Sequence, residues 1–368
     1  MIVKNEEKVL PRLFRTIRDY IDYYVIVDTG SSDGTIELIR REMEGYGIPG
    51  EVHERPWVNF AVNRQEALEL ALKADQTDYL LFIDADEELG VSDPKFYEKL
   101  EPEVSYDIEK HNGSIRYAVP QLVNVRGPRF HWEGAVHNLL IMNGAKRRLR
   151  KDVWIVYHPG EGAKSHGLSQ EEKYLKDARI LEAELAKDPD NTRNQFLLGQ
   201  SYKDALHFEK AREEYQKRVK MAGWAEERFM AQLEVGRLSV HLDKPTDLIL
   251  SELLEAYGLR PTRAEPLYEL ARYFCRKKQY AMATLFAKAG LETPRPDDYL
   301  YVNDSVYAWR LLDELAVASY WVEDYKGSKT CCEAILARVA EGLTLSSQDL
   351  DRIRANLAAS ERHLLGNT

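Results

Sequence analysis

The chain has 368 residues, 44% of them hydrophobic and 30% charged, with a net charge of −10. That length exceeds one small core and points to two domains, while the acidic balance argues against a general nucleic-acid binder, which needs a basic face for phosphates. Three cysteines, Cys275, Cys331 and Cys332, show no metal spacing and make no disulfide framework, so a reducing, cytoplasmic compartment is expected. The start, Met-Ile-Val-Lys-Asn-Glu-Glu, lacks a signal-peptide apolar core, and no apolar run approaches ~18 residues, so neither a leader nor a membrane span is expected.

Residues 1–3 read as a stub of strand. Leu10, Leu13, Phe14, Ile17 and Ile21 follow helical spacing and give one apolar stripe to lay on a sheet. A second strand, 23–27, ends on Asp28 and runs into Thr29-Gly30-Ser31-Ser32-Asp33-Gly34-Thr35 before a new amphipathic pattern at Ile36, Leu38 and Ile39. Small, hydroxyl-bearing residues between strand and helix let backbone approach a ligand, and Asp33 or Ser32 can cap the helix. The loop lacks the three-glycine dinucleotide pattern, and an ordinary βα turn also accounts for it.

A third strand at 52–54 and a helix marked by Ala61, Arg64, Leu68 and Ala71 precede the most informative stretch, residues 78–88. There Asp78-Tyr-Leu-Leu-Phe-Ile gives way to Asp84-Ala85-Asp86-Glu87-Glu88, an apolar strand that stops on four acids. The order βαβαβαβ predicts a mostly parallel, Rossmann-like sheet covered on both faces, with Asp84 and Asp86 at the same edge as Asp28. Carboxylates clustered at such an edge suggest a divalent cation with a phosphate beyond it; the plainer reading is a solvated acidic turn.

Four segments together, Met1–Glu7, Val27–Thr35, Phe60–Arg64 and Ile83–Glu88, resemble the family-2 glycosyltransferases. The resemblance implies a GT-A fold, a nucleotide diphosphate sugar donor (a UDP-sugar favoured), a divalent metal (Mn²⁺ or Mg²⁺), and hexosyl transfer with inversion. It assigns Val3, Lys4, Asn5, Glu6, Asp28, Gly30, Arg64, Asp84 and Ala85 to the donor, with Asp84 facing ribose and metal and Asp86 ligating the metal. A bound cation acts as a Lewis acid for charge that builds on the leaving β-phosphate. One departure is Gln65, where similar sequences carry Asn.

Residues 90–112 read as polar and irregular, and 115–125 as an antiparallel strand. The segment Arg126-Gly127-Pro128-Arg129-Phe130-His131-Trp132-Glu133-Gly134-Ala135-Val136-His137-Asn138 looks like an active-site wall. Inversion needs a carboxylate to take the acceptor proton, and Glu133 is the candidate base, with Glu87 and Glu88 as alternatives. The segment resembles a Trp-x-Gly-x-Val-His-Glu pattern except that Asn138 follows His137. The resemblance also implies a late histidine on the metal, His158 at the end of strand 153–157 before His137; hydrogen-bonded structural histidines are the alternative. The basic run 146–151 reads as a solvated edge or turn, with phosphate or acceptor contact as the sharper alternative.

From Ser169 the pattern is helical. Leu198, Gly199, Tyr202, Ala211 and Tyr215 match tetratricopeptide spacing, and Leu270, Ala271, Phe274, Ala283 and Ala287 repeat it 72 residues later, about two periods of ~34. Leu233-Glu234-Val235-Gly236 starts a degenerate unit between them, and helices at 309–320, 325–336 and 350–365 extend one solenoid. Arg260-Pro-Thr-Arg-Ala-Glu-Pro266 and Asp313-Glu-Leu-Ala316 are similar to the helical tails of a subgroup of these transferases. The expected domains are 1–165, a catalytic GT-A domain, and 166–368, a tetratricopeptide-like domain holding a peptide, protein or second copy as a homo-oligomer. The acceptor is left open among protein, peptide, glycan, small molecule and modified nucleobase. Two other functions are weighed: an adaptor with an inactive transferase domain, and a GT-A-like nucleotidyltransferase.

Overall fold

The computed structural model describes residues 1–127, 130–134, 136–158, 160–161 and 169–366. Pro128, Arg129, Ala135 and Pro159, and the expected domain junction at 165, lie outside them. The chain divides into two compact units, Met1–Pro189 with Asp204–Leu206, and Asp190–Lys203 with His207–Thr368.

The first unit opens with three parallel strands, β1 (Ile2–Val3), β2 (Tyr24–Asp28) and β3 (Gly50–Glu54), in that order, with Val3 beside Asp28 and Asp28 beside Glu54. Between them run α1 (Leu10–Ile17) and α2 (Thr35–Tyr46), and α3 (Phe60–Ala74) follows β3. Pro11 sits in the first turn of α1, where its missing N–H costs nothing, and the buried face is Leu10, Leu13, Phe14 and Ile17. Helix α2 ends on Gly47 at φ 71°, with Gly47 and Ile48 N–H closing on Glu44 and Met43 carbonyls.

A second, mixed sheet holds β4 (Tyr79–Leu81), β5 (Glu87–Val91), β6 (Ser105–Asn112), β7 (Ile115–Asn124) and β10 (Lys146–Tyr157). Strand β7 pairs antiparallel with β4 and β6, β6 pairs parallel with β10, and β10 antiparallel with β5. The acid-terminated fourth strand thus pairs antiparallel with β7; parallel pairing holds for β1–β3 and for β6 with β10. Periodicity marks a strand but not its partner, and the three residues of β4 dock where Phe82 N–H also finds the Gln121 carbonyl, 2.8 Å away. One core joins both sheets, gathering the α1 face, Ile26, Ile39 and Met43 with Ile83, Leu89, Ile108, Leu149 and Ile155.

Two sequence readings change. Residues 105–112 are a strand, because Tyr106 and Ile108 are buried and the polar residues that follow, Glu109 and Lys110, find Arg148 and Glu87. The basic run lies in β10 rather than in a turn: Lys146 and Arg147 are exposed, Arg147 meeting Glu101 at the surface, while the buried Arg148 side chain is neutralised by Glu109. A hairpin, β8 (Phe130–Glu133) with β9 (Leu139–Met142), and a capped helix, α4 (Gln170–Lys187), complete the unit.

The second unit is a stack of helices: α5 (Thr192–Asp204), α6 (Phe208–Lys220), α7 (Ala225–His241), α8 (Thr246–Leu259), α9 (Glu265–Arg276), α10 (Tyr280–Leu291), α11 (Leu311–Trp321), α12 (Tyr325–Ala340) and α13 (Ser347–Gly366). Its repeat is visible in the turns. Leu206, Asp243, Lys278 and Glu323 all have positive φ, between 47° and 68°. The N–H of the following residue reaches back to the carbonyl of Tyr202, Ser239, Phe274 and Ser319 respectively, the same helix-ending bond four times. Gly199 leaves no room for a side chain against the Tyr215 ring, 2.9 Å from its would-be Cβ, and Gly236 does the same for Leu253. Among the described residues no helix is long and apolar enough to cross a membrane. The fold is an α/β sheet unit followed by a tetratricopeptide-like solenoid.

Candidate functional site

The site begins where β1 and β2 end side by side. Thr29 donates N–H (2.9 Å) and Oγ1–H (3.0 Å) to the Val3 carbonyl. The buried Asp28 carboxylate accepts Gly30 N–H at 2.9 Å and Ser31 N–H at 2.8 Å, and the Ser31 hydroxyl as well. Gly30 stands at φ 103°, where a side chain would be strained. Asn5 Oδ1 accepts Ser32 N–H (2.7 Å), Asn5 N–H donates to Ser31 Oγ (2.9 Å) and Glu6 N–H donates to Thr35 Oγ1 (2.8 Å). The two loops are stitched together, with Lys4 exposed at the rim. Asp28 therefore shapes this loop with its own carboxylate.

The acidic turn joins β4 to β5 and closes on itself: Glu87 N–H donates to the Asp84 carbonyl and Asp84 N–H to Glu87 Oε2 at 2.9 Å. Three of its four acids are paired with cations. Asp84 takes Arg64 Nη2 on both oxygens at 2.8 Å. Glu87 is buried on Lys110, with Nζ 2.5 Å from Oε1. Glu88 Oε1 lies 3.1 Å from Arg12 Nε and 2.6 Å from His158 Nε2. Asp86 enters no ion pair or hydrogen bond with another described side chain.

The charges follow. Burial works to raise Asp84, but Arg64 and Lys110 outweigh it and hold it below the usual carboxylate value. Asp86 is raised by burial and by the charge of Asp84, and Glu87 by burial against the pull of Lys110. Tyr157, paired with Glu87 across β10 and β5, is pushed up to about 12 by burial and then by Asp86, which keeps it a neutral donor at this edge.

His158 is set against the turn by the same register, its backbone N–H donating to the Asp86 carbonyl at 3.2 Å. His137 stands in the β8–β9 turn, exposed, at φ 49°. Ala85 is buried in the core. Along β8 the side chains alternate: Phe130 and Trp132 are half-buried, while His131 and Glu133 are exposed on the other face, 3.7 Å from each other. Trp132 reaches the Arg64–Asp84 pair, its ring 4.9 Å from the Arg64 guanidinium and edge-on to Phe82; its backbone N–H donates to Gln65 Oε1 at 3.1 Å. Glu133 does not share that face.

Sequence reasoning passed over Arg12, Lys110 and Trp132 as individual residues. The alternation of β6 carried a signal for Lys110, since a lysine on the same strand face as the apolar Tyr106 and Ile108 needs an acid. No described group of three His, Cys, Asp or Glu is arranged to hold a metal ion. A magnesium-type ion that takes most of its ligands from water and a diphosphate needs only one or two carboxylates, and the uncommitted Asp86 beside Asp84 fits that smaller requirement.

Residues 1–131 match the family model described as Glycosyl transferase family 2. The amino-terminal unit thus carries a segment similar to family-2 glycosyltransferases. An uncharacterized glycosyltransferase of Rickettsia typhi is 26% identical over 129 residues, covering 34% of this chain and 38% of that protein. The chain thus spans under two-fifths of the length of that relative. A TPR repeat-containing protein of Synechococcus elongatus is 31% identical over 90 residues, 24% of this chain and 20% of that one. Among solved structures, a MamA protein aligns at TM-score 0.38 and 18% identity, covering 48% of this chain and 90% of that one. The matched segment ends within β8, so it includes the Asn5 and Asp28 loops, Arg64, the acidic turn and Lys110 but not Trp132, Glu133, Tyr157 or His158.

Proposed function

We propose that the amino-terminal unit is a cytoplasmic, metal-assisted inverting hexosyltransferase using a nucleotide diphosphate sugar, UDP-linked by preference, and that the helical unit recruits an acceptor or a second copy. The observation that carries this reading is the acidic turn, where Asp84, Glu87 and Glu88 are paired with Arg64, Lys110 and Arg12 and, among the described residues, Asp86 alone is left for a ligand. Asp86 and Asp84, with His158 beside them, would hold the divalent ion, which when bound supplies a Lewis acid to the diphosphate.

The chain's own residues do the rest. Arg64 meets phosphate charge next to Asp84, and the stitched loops of Asn5 and Asp28 hold the nucleoside end of the cleft. The acceptor oxygen attacks the anomeric carbon as the bond to the β-phosphate oxygen breaks and its electron pair leaves with the nucleoside diphosphate. The acceptor proton passes to a carboxylate. Glu87 is spent on Lys110 and Glu88 on Arg12, which leaves Glu133 as the base in this reading.

A thermal-shift panel of nucleotides and nucleotide sugars with and without Mn²⁺ tests it. A ligand at ~100 times its dissociation constant adds about 2.7 kcal/mol, or roughly 5–11 °C for a unit of this size. No stabilisation by any nucleotide or nucleotide sugar in metal overturns the reading. A second reading, an adaptor with an inactive transferase domain, is favoured by the exposed placement of Glu133 away from Trp132. Sugar transfer that vanishes in Asp86→Ala excludes it, and release of pyrophosphate instead of nucleoside diphosphate would mark a nucleotidyltransferase.

A further inference from the structure

Arg64 spends only one nitrogen on Asp84. Nη2 serves both carboxylate oxygens, and neither Nε nor Nη1 bonds to any described residue. A guanidinium with two uncommitted donor edges is useful to an anion only if its plane is held, because a free arginine side chain samples many rotamers. Here the guanidinium carbon lies over two rings, 4.9 Å from the Trp132 centroid and 5.8 Å from the Phe60 centroid.

Trp132 is fixed more firmly than a hairpin residue needs to be. Its backbone N–H is held by Gln65, the residue after Arg64 on α3, its ring packs edge-on against Phe82 at 5.4 Å and 87°, and it pairs with Leu140 across the hairpin. Its indole Nε1–H is buried and without a hydrogen-bond partner among the described residues, so the ring is held by its faces and edges. Arg64 and Gln65, one turn of α3, thus grip the carboxylate and the tryptophan together.

We propose that Trp132, tied down by Gln65, is a positioning residue that holds the Arg64 guanidinium with its open N–H edges toward the diphosphate of the donor. The proposal rests on the donor reading above. It makes the β8–β9 hairpin a wall of the diphosphate subsite and gives the half-buried Gln65 a function beyond its bond to Glu69 on α3.

Calorimetric titration of the full chain with UDP and with uridine, both in Mn²⁺, tests it. Trp132→Leu and Gln65→Ala should each weaken UDP binding about tenfold and leave uridine binding unchanged, while Trp132→Phe, which keeps an aromatic face, stays within about threefold. In an Arg64→Ala background, Trp132→Leu should add nothing, because its effect passes through the arginine. Additive losses, or equal losses for uridine, overturn the positioning role while leaving the donor reading intact. Failure of the wild-type chain to bind UDP overturns both. Melting temperatures of the variants within a few degrees of wild type show that the folded chain is being compared.

Discussion

Lys110→Met should destabilise the amino-terminal unit by about 3–5 kcal/mol, the usual cost of leaving one member of a buried ion pair alone. The pair is well inside the fold, with the Lys110 and Glu87 side chains 11% and 3% exposed. At ~2–4 °C per kcal/mol for a unit of this size, the melting temperature falls by roughly 6–20 °C. Burial already raises Glu87 above its ordinary value of 4.5 against the opposing charge of Lys110, so removing the lysine raises it further. A raised acid carries a proton in the folded state that it gives up on unfolding, so the variant loses stability as pH climbs from about 4.5 through the folded pKa. The loss is therefore smaller at pH 5 than at pH 8. Glu87→Gln with Lys110→Met removes both charges and should recover most of the stability. Circular-dichroism melts at the two pH values check this. A single-variant loss under about 1 kcal/mol, or a double variant as damaged as the single, refutes the reasoning.

Asp86→Asn should abolish Mn²⁺-dependent nucleotide binding yet leave the ligand-free melting temperature unchanged or slightly higher, since burial and Asp84 already disfavour its charge; a large drop in ligand-free stability would mean that Asp86 is structural. Gly236→Ala should cost about 1–3 kcal/mol because its Cβ would fall 2.5 Å from Leu253 Cδ2, whereas Gly45→Ala, with open space around it in α2, should stabilise by about 0.5–1 kcal/mol; urea melts of both variants separate packing from propensity. Glu234 is buried, which opposes ionisation, but Lys203 and Arg237 draw it down from 4.5 to about 2. Its depressed pKa contributes stability that is complete above pH 4.5 and lost as pH falls toward 2, so Glu234→Gln should flatten that limb of the acid-unfolding profile.

The sequence by itself determined the elements whose signals are local. The α1 stripe, the loop after Asp28, the acid-terminated run at 84–88 and the 72-residue recurrence in the helical half all rest on spacing or on residue chemistry within one window, and each is present as an element. The strand at 105–112 was also written locally, in the alternation of Tyr106 and Ile108 with polar neighbours, but a strand buried through ion pairs looks polar. Tertiary structure alone decided the pairings. That β4 meets β7 antiparallel, that Lys110 and Arg12 neutralise Glu87 and Glu88, and that Gln65 reaches Trp132 across 67 positions depend on partners far away in the chain. A carboxylate in sequence is only a charge. Whether it is spent on a cation of the fold or left for a ligand depends on which strands lie beside it, and that is why Asp86 stands apart from its three neighbours only once the sheet is assembled.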